Sequence, residues 1–328
     1  MPTVALEDIE AEVRRALERH GASPDTAAAV AHAIRIAEQN GNKICGLYYL
    51  ESYCQQLETG RVRGDVKPSV GHVRAGAVRV DGRHGFAQVA FRAGFETAVD
   101  SAQANGVCGY SIEHTHTCTS LGYFTEQFAA RGLLAIGATN ATPRVAAPGG
   151  SKRLLGTNPI AMAVPDSRGG VALQFDFSTS AVALGKITMA KAAGEPIPVG
   201  WALDSDGKPT TDPDAALAGS LVSAGGYKGF GIGLMVELLA SALTGSRRSV
   251  DVPPLKAPDG PPHDLGQFYF VIDPSAYSGD GFYDHLVALA ESVAADEGTR
   301  LPGSTRAAVD EVELESSVWD LTLRLAGS

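Results

Sequence analysis

Four places in this 328-residue chain carry side chains whose types and spacing could do chemistry. Asp176 ends the apolar run Val171 to Phe177 and is followed by Ser178, Thr179 and Ser180. A carboxylate at a strand end can orient a catalytic group or a substrate. It can equally cap the following helix, since its oxygens accept the unpaired N–H groups of a first turn. His114 and His116 close a second apolar run. In extended backbone they share a face, which is how a metal pair is arranged. Glu113 would then face the other way, so no metal centre is expected. Cys45 lies in Lys43-Ile44-Cys45-Gly46, just before a helical stretch. A helix N-terminus and a nearby lysine can both lower a thiol pKa, although a small buried side chain is the plainer reading. Gly225-Gly226-Tyr227-Lys228-Gly229 opens an apolar helix. Free N–H groups and Lys228 there could hold a phosphate or carboxylate. The spacing matches neither a dinucleotide fingerprint nor a P-loop, and a tight turn with a solvated lysine is the alternative.

The elements that must position these groups follow from periodicity and turn residues. Residues 5–38 read as two helices, the second starting at Ser23-Pro24-Asp25, and 47–60 as a third that stops at Gly60. A strand is predicted over 69–81 and a helix over 87–104, followed by a strand from Val107 to Ile112. A helix at 122–131 and a strand at 133–139 come next. A Pro/Gly loop, 143–158, separates these from strands at 160–164 and 171–177, and a helix runs to about 192. Residues 194–219 read as loop. A helix at 230–243, an exposed loop at 246–265, a strand at 267–272 and helices at 281–297 and 309–325 complete the chain. Helices and strands mix without regular βαβ alternation, so a doubly wound sheet is not expected.

Hydrophobic residues make up 44% and charged residues 20%, which are globular values. A formal net charge of −10 disfavours nucleic acid and anionic membrane as partners, because both require a basic footprint. No apolar run reaches the roughly 18 residues of a membrane span. The four cysteines form no C-x-x-C pair, consistent with reduced thiols. With no leader-like start, these features point to a cytoplasmic protein.

Several segments, taken together, carry a family resemblance. They are Asp81-Gly82-Arg83-His84-Gly85-Phe86-Ala87-Gln88, Leu155-Gly156-Thr157-Asn158-Pro159-Ile160-Ala161, and the run from Asp176 to Ile187. Gly194-Glu195-Pro196-Ile197-Pro198, Gly200-Trp201-Ala202-Leu203-Asp204, the glycine turn and Arg300-Leu301-Pro302-Gly303 complete the set. In this order the chain resembles the malate/L-lactate dehydrogenase-like family, which includes sulfolactate and ureidoglycolate dehydrogenases and ketimine reductases. The resemblance implies a mixed α/β (α+β) fold of non-Rossmann type. It implies a helical domain from both chain ends, 1–68 with 281–328, and a cofactor and substrate domain at 69–280 with an inserted loop near 246–265. It also implies NADPH or NADH as cofactor, a small-molecule substrate and a homodimer. Carried over residue by residue, cofactor contacts fall on Asn140, Thr142, Asp176, Phe177, Ser178, Thr179, Ser180, Lys228, Gly303, Ser304 and Thr305. Substrate contacts fall on Lys43, Thr117 and Asn158.

The departures bear on the reaction. The family's usual Ser-His-Gly reads Ile44-Cys45-Gly46 here, and its Asn-His-Phe-Gly reads His116-Thr117-Cys118-Thr119. Both proton-transfer histidines are replaced in the ungapped register, by Cys45 and Thr117; a one-residue slip would restore the second as His116. Asp176, their usual carboxylate partner, is kept. Ketone reduction needs a proton for the developing alkoxide, and a positioned histidine contributes about 10²–10⁴-fold there. An iminium needs only hydride. The expected activity is therefore NAD(P)H-dependent reduction of a cyclic imine or 2-oxo acid-like molecule, with Asp176, His116 and Cys45 as the catalytic candidates. A non-redox lyase or cyclisation step on the same fold is the alternative, and a non-catalytic scaffold is a third.

Overall fold

The computed structural model describes residues 1–303 and 309–328. A short strand β1 (Thr3–Ala5) leads into helices α1 (Leu6–Arg19) and α2 (Pro24–Gln39). α1 buries Leu6, Ile9, Val13, Ala16 and Leu17, the single stripe that its periodicity predicts. Ser23 caps α2 by accepting the Thr26 N–H, and Pro24 opens its first turn. Two 3-10 turns, Lys43–Cys45 and Leu47–Tyr49, precede α3 (Leu50–Glu58).

The strand expected over 69–81 is a hairpin, β2 (Ser69–Arg74) and β3 (Ala77–Asp81). Valines on both sides of Ala75-Gly76 disguise the turn as one run. α4 (Ala87–Asn105) stops at Gly106, φ +77°, and β4 (Val107–Thr115) extends beyond the expected end at Ile112. Then follow α5 (Gly122–Ala129), β5 (Leu134–Thr139), β6 (Val145–Ala146), β7 (Arg153–Leu155), β8 (Ile160–Pro165), β9 (Val171–Phe177) and α6 (Leu184–Ala193). The stretch expected to be loop holds β10 (Ala202–Leu203), β11 (Pro209–Thr210) and α7 (Pro213–Ala218), with β12 (Ser220–Leu221) just after it. α8 (Tyr227–Glu237) starts immediately after the two glycines and runs into a π turn, Leu238–Ala242. β13 (Leu265–Ile272), α9 (Gly281–Ala294), β14 (Glu311–Glu313) and α10 (Ser316–Ala326) end the chain.

Among the described residues the main sheet has seven strands in the order β2-β3-β4-β13-β5-β8-β9. Only β3 and β4 pair in parallel, so this is a mixed sheet and not a doubly wound one. β13 arrives late in the chain and inserts between β4 and β5, supplying hydrogen bonds on both its edges. A smaller five-stranded sheet has the order β11-β10-β12-β6-β7. One apolar cluster packs Ile9, Val13, Leu17, Ile34, Leu50 and Tyr53 against Val312, Trp319 and Leu325, joining the two chain ends. A second, under the main sheet, centres on Phe91, Tyr110, Phe124, Phe128 and Tyr269.

Two expectations are corrected here. The closing helix does not start at 309: Glu311–Glu313 forms a strand paired with β1, Thr3 opposite Glu313, and the helix begins only at Ser316. A partner almost a chain length away decides that pairing. Nor is the loop 246–265 exposed throughout. Ser249 and His263 are buried, and Arg61, itself 2% exposed, donates to the carbonyls of Pro254, Ala257 and Pro261. Gln56 donates to the Leu255 and Ala257 carbonyls. The segment is a strap fastened to α3, because buried side-chain donors satisfy the carbonyls that it cannot pair in a sheet.

Candidate active site

Asp176 and Gln174 stand two apart on β9 and therefore on one face of that strand. Both meet the start of α5. Asp176 Oδ2 accepts the Gly122 N–H at 2.8 Å and the Ser120 hydroxyl at 3.4 Å. Asp176 therefore does cap a helix, but it caps α5 across the sheet and not the helix that follows it in sequence. Burial raises its carboxyl above the usual carboxylate range, opposed by N–H groups from Gly122 and Leu121 and by Ser120. Gly122 leaves room for the Gln174 amide, which a Cβ there would force to shift, and that Cβ would also press on the Asp176 Cβ. A cavity of about 390 Å³ opens beside these residues. Asn40 and Asn42 at the end of α2, Ser120, Tyr123 and Gly303 contribute to its wall.

Cys45 lies on the 3-10 turn over this region. Gly46 leaves room for the Glu38 carboxylate, which accepts the Leu47 N–H at 2.8 Å and so fastens the turn to α2. Ile44 packs against Gly185 at the start of α6. Burial and the Asp176 carboxylate push the Cys45 thiol up to about 12, against a hydrogen bond from Asn42. The plainer reading of a buried thiol fits this direction, and Lys43 does not offset it, since its Nζ reaches outward to the Glu313 carbonyl at 3.4 Å. Burial raises the Cys118 thiol as well, with Asp176 and Cys45 beside it adding to the shift.

The histidines take separate paths. His114 sits at φ +52°, which breaks the strand alternation. Its Nδ1 lies 3.2 Å from Asp81, and Asp81, Glu113 and His114 converge, so Glu113 does not face away as expected. Glu113 is engaged by a fork of hydrogen bonds from Arg79 at 2.7–2.8 Å. His116 is 2% exposed, hydrogen-bonds Gln56 Oε1 at 2.6 Å and stacks on His263 at 3.9 Å between ring centroids. Burial, then His263 and Arg61, push its pKa well down. Its neighbours Gln56, Tyr53, Phe86 and His263 lie outside the cavity wall. His116 itself is not among the residues lining that cavity. Thr117 is buried beside it and donates its N–H to His263 Nδ1.

The glycine turn and the hydroxyl segment come together although far apart in sequence. Ser180 bridges Ser223, and the Ala224 N–H donates to the Thr179 carbonyl at 3.0 Å. Gly225 and Gly226 have φ of +66° and +65°, and a Cβ on either would meet open space. Exposed Lys228 occupies the first turn of α8. Ser178 and Ser180 hydroxyls lie 3.0 Å apart, and Phe177 is exposed and stacks on Phe175. Open N–H groups, paired hydroxyls and a cation are a donor set that fits a dinucleotide's phosphates and ribose.

Other expected contacts are tied up internally. Asn158 is fully buried and bonds Gly233, Glu237 and Ser249. Asn140 donates to the Arg247 carbonyl and accepts from Gly266. Both amides brace the segments behind the glycine turn, while Thr142 is half-buried. Gly303 packs at φ +85° against the Gln174 backbone, and Ser304 and Thr305 lie outside the described residues. Sequence reasoning missed Gln174, Ser120, Gly122 and Asn42. The available signal was Gln174, the one uncharged polar residue in an otherwise apolar strand, two before Asp176.

A profile for the family described as malate/L-lactate dehydrogenase matches residues 4–318. A (2R)-3-sulfolactate dehydrogenase (NADP(+)) of Chromohalobacter salexigens is 40% identical over 322 residues, covering 97% of this chain and 96% of the relative. A Δ1-pyrroline-2-carboxylate/Δ1-piperideine-2-carboxylate reductase of Pseudomonas putida is 37% identical over 316 residues, covering 96% and 92%. Among solved structures, the Δ1-piperideine-2-carboxylate reductase of Pseudomonas syringae superposes with a TM-score of 0.92 at 32% identity, covering 99% of this chain and 100% of that one. The sulfolactate dehydrogenase of Methanocaldococcus jannaschii gives 0.90 at 26%, covering 99% and 97%. Matched along almost its whole length in both sequence and fold, the chain belongs to the malate/L-lactate dehydrogenase family.

Proposed function

We propose that this protein reduces a small cyclic imine carboxylate, or a 2-oxo acid-like analogue, with NADPH or NADH as hydride donor. Its relatives, an NADP-linked sulfolactate dehydrogenase and reductases of pyrroline- and piperideine-2-carboxylate, make it an NAD(P)-dependent oxidoreductase of one of these two substrate types. The observation that favours the imine is the pairing of Asp176 with a thiol. A thiol at about 12 is poorly matched to donate a proton near neutral pH. A protonated imine brings its own proton. Asp176, whose carboxylate is disfavoured by burial, would recover a charge partner from that cation. Ser178, Thr179, Ser180 and Lys228 with the Gly225-Gly226 turn would hold the dinucleotide, and the dihydronicotinamide supplies the hydride when bound.

The same reading places a helical domain at 1–68 with 281–328 and the cofactor and substrate domain at 69–280. It also makes the assembly a homodimer. Ile232, Met235 and Leu238 are each more than two-fifths exposed, and α9 buries none of its residues while exposing Val287 and Leu289. Exposed apolar side chains grouped on helices mark contact surfaces. No described helix is long and apolar enough to cross a membrane, and we place the protein in the cytoplasm.

The test is spectrophotometric. Purified protein should consume NADPH or NADH faster with Δ1-pyrroline-2-carboxylate or Δ1-piperideine-2-carboxylate than with 2-oxo acids. No cofactor consumption with any ketimine or 2-oxo acid would sink the proposal. Substrate turnover at constant nicotinamide absorbance would replace it with a non-redox reaction.

A further inference from the structure

We propose that Gln174 anchors the reacting ligand, donating a hydrogen bond from its side-chain amide to a carbonyl or carboxylate oxygen held in the Asp176 cavity. This rests on the reductase reading above and adds a residue that reading does not use. Gln174 is 4% exposed, and its Nε2 has no hydrogen-bond partner among the described residues. Buried amides are normally paired, and an unpaired one costs free energy that a leucine in the same strand would not. The flanking residues, Leu173 and Phe175, are apolar, so the strand itself gives no reason for an amide. Gln174 lines the cavity beside Asp176, with its Nε2 buried against Gly122. The backbone is also shaped around it. Gly122 lacks the Cβ that would displace Nε2, and Gly303 lets Pro302 accept the Gln174 N–H at 3.2 Å.

An sp² oxygen next to a planar ring is the acceptor that this arrangement suits. Two molecules of the reaction carry one: the nicotinamide, through its carboxamide, and the imine, through its carboxylate. Asp176 would face the cationic or reacting part while Gln174 holds the oxygen, which fixes the ring in one orientation.

The experiment compares wild type with Gln174→Leu and Gln174→Glu. NADPH affinity is read by fluorescence titration, and affinity for pyrrole-2-carboxylate, an unreactive planar analogue of the imine, by calorimetry. Thermal melting is recorded for each protein. Gln174→Leu should weaken one ligand, by about 3- to 10-fold for an uncharged carboxamide acceptor or about 10- to 150-fold for a carboxylate. NADPH weakening identifies the carboxamide, and analogue weakening identifies the carboxylate. The melting temperature should hold or rise, because the unpaired donor is gone. Gln174→Glu keeps the shape and should repel a carboxylate more than Leu does. Both affinities within twofold of wild type, or a fall in melting temperature alone, would overturn the assignment. Wild type that binds neither the analogue nor NADPH nor NADH would overturn the reductase reading itself, so the two failures are distinguishable.

Discussion

Two walls of the proposed site are built on opposite principles. One, from 176–182 and 223–229, is made of hydroxyls, glycines and helix-start N–H groups, and its elements are cross-linked by backbone hydrogen bonds. The other, from 43–46 and 117–122, carries Cys45 and Cys118, thiols that burial and Asp176 keep protonated. On the family resemblance, the first wall carries the expected cofactor-gripping residues, while the second has Cys45 and Thr117 where histidines are expected, with His116 one position from the second. A protein can keep hydride delivery while changing proton handling, because grip depends on backbone geometry and proton transfer depends on single side chains.

The largest expected effect comes from the carboxylate between the walls. Asp176→Asn keeps an oxygen for the Gly122 N–H but removes the charge, and should cut kcat/KM for a cyclic imine by about 10²–10³-fold with little change in melting temperature. A loss of less than fivefold would mean that Asp176 is only a cap for α5. Next, Cys45→His rebuilds the family's histidine beside Asp176. It should raise 2-oxo acid reduction by about 10- to 100-fold and introduce a break in the rate profile near pH 6–7 that the wild-type thiol does not produce. No gain in steady-state assays would show that the second wall does not handle the proton. On the gripping wall, Lys228→Ala should weaken NADPH about five- to tenfold in a salt-dependent way and leave stability unchanged, since the residue is exposed.

The smallest effect tests the strap behind the second wall. Burial and Arg61 hold His263 down to about 3, whereas an unfolded histidine titrates near about 6.5. Between those values the unfolded chain takes up a proton that the folded chain refuses. Stability is therefore complete above about pH 6.5 and declines as pH falls toward 3. His263→Gln can still accept the Thr117 N–H and should flatten the fall in melting temperature between pH 7 and 4. Asp176 and Glu38, both raised by burial, are present in both proteins and cancel in the comparison.

Much of this molecule was legible in its sequence. Ser23-Pro24, Asn105-Gly106 and the apolar stripes fixed where helices begin, end and bury, because those preferences act within one turn of chain. Collinear motifs pointed to the family, and that resemblance set Cys45, and Thr117 or by a one-residue slip His116, at its histidine positions. What tertiary structure alone decided is which side chains meet. β13 enters between β4 and β5, β14 pairs with β1, and Asp176 caps a helix from across the sheet; none of these partners is close in sequence. Burial then set the chemistry. It raised Cys45, enclosed His116 with Gln56 and His263, and left the Gln174 Nε2 without a partner among the described residues. Short-range preferences can be read from neighbours along the chain, whereas desolvation depends on everything that packs around a group, so pKa values and orphaned donors emerge only once the chain has closed on itself.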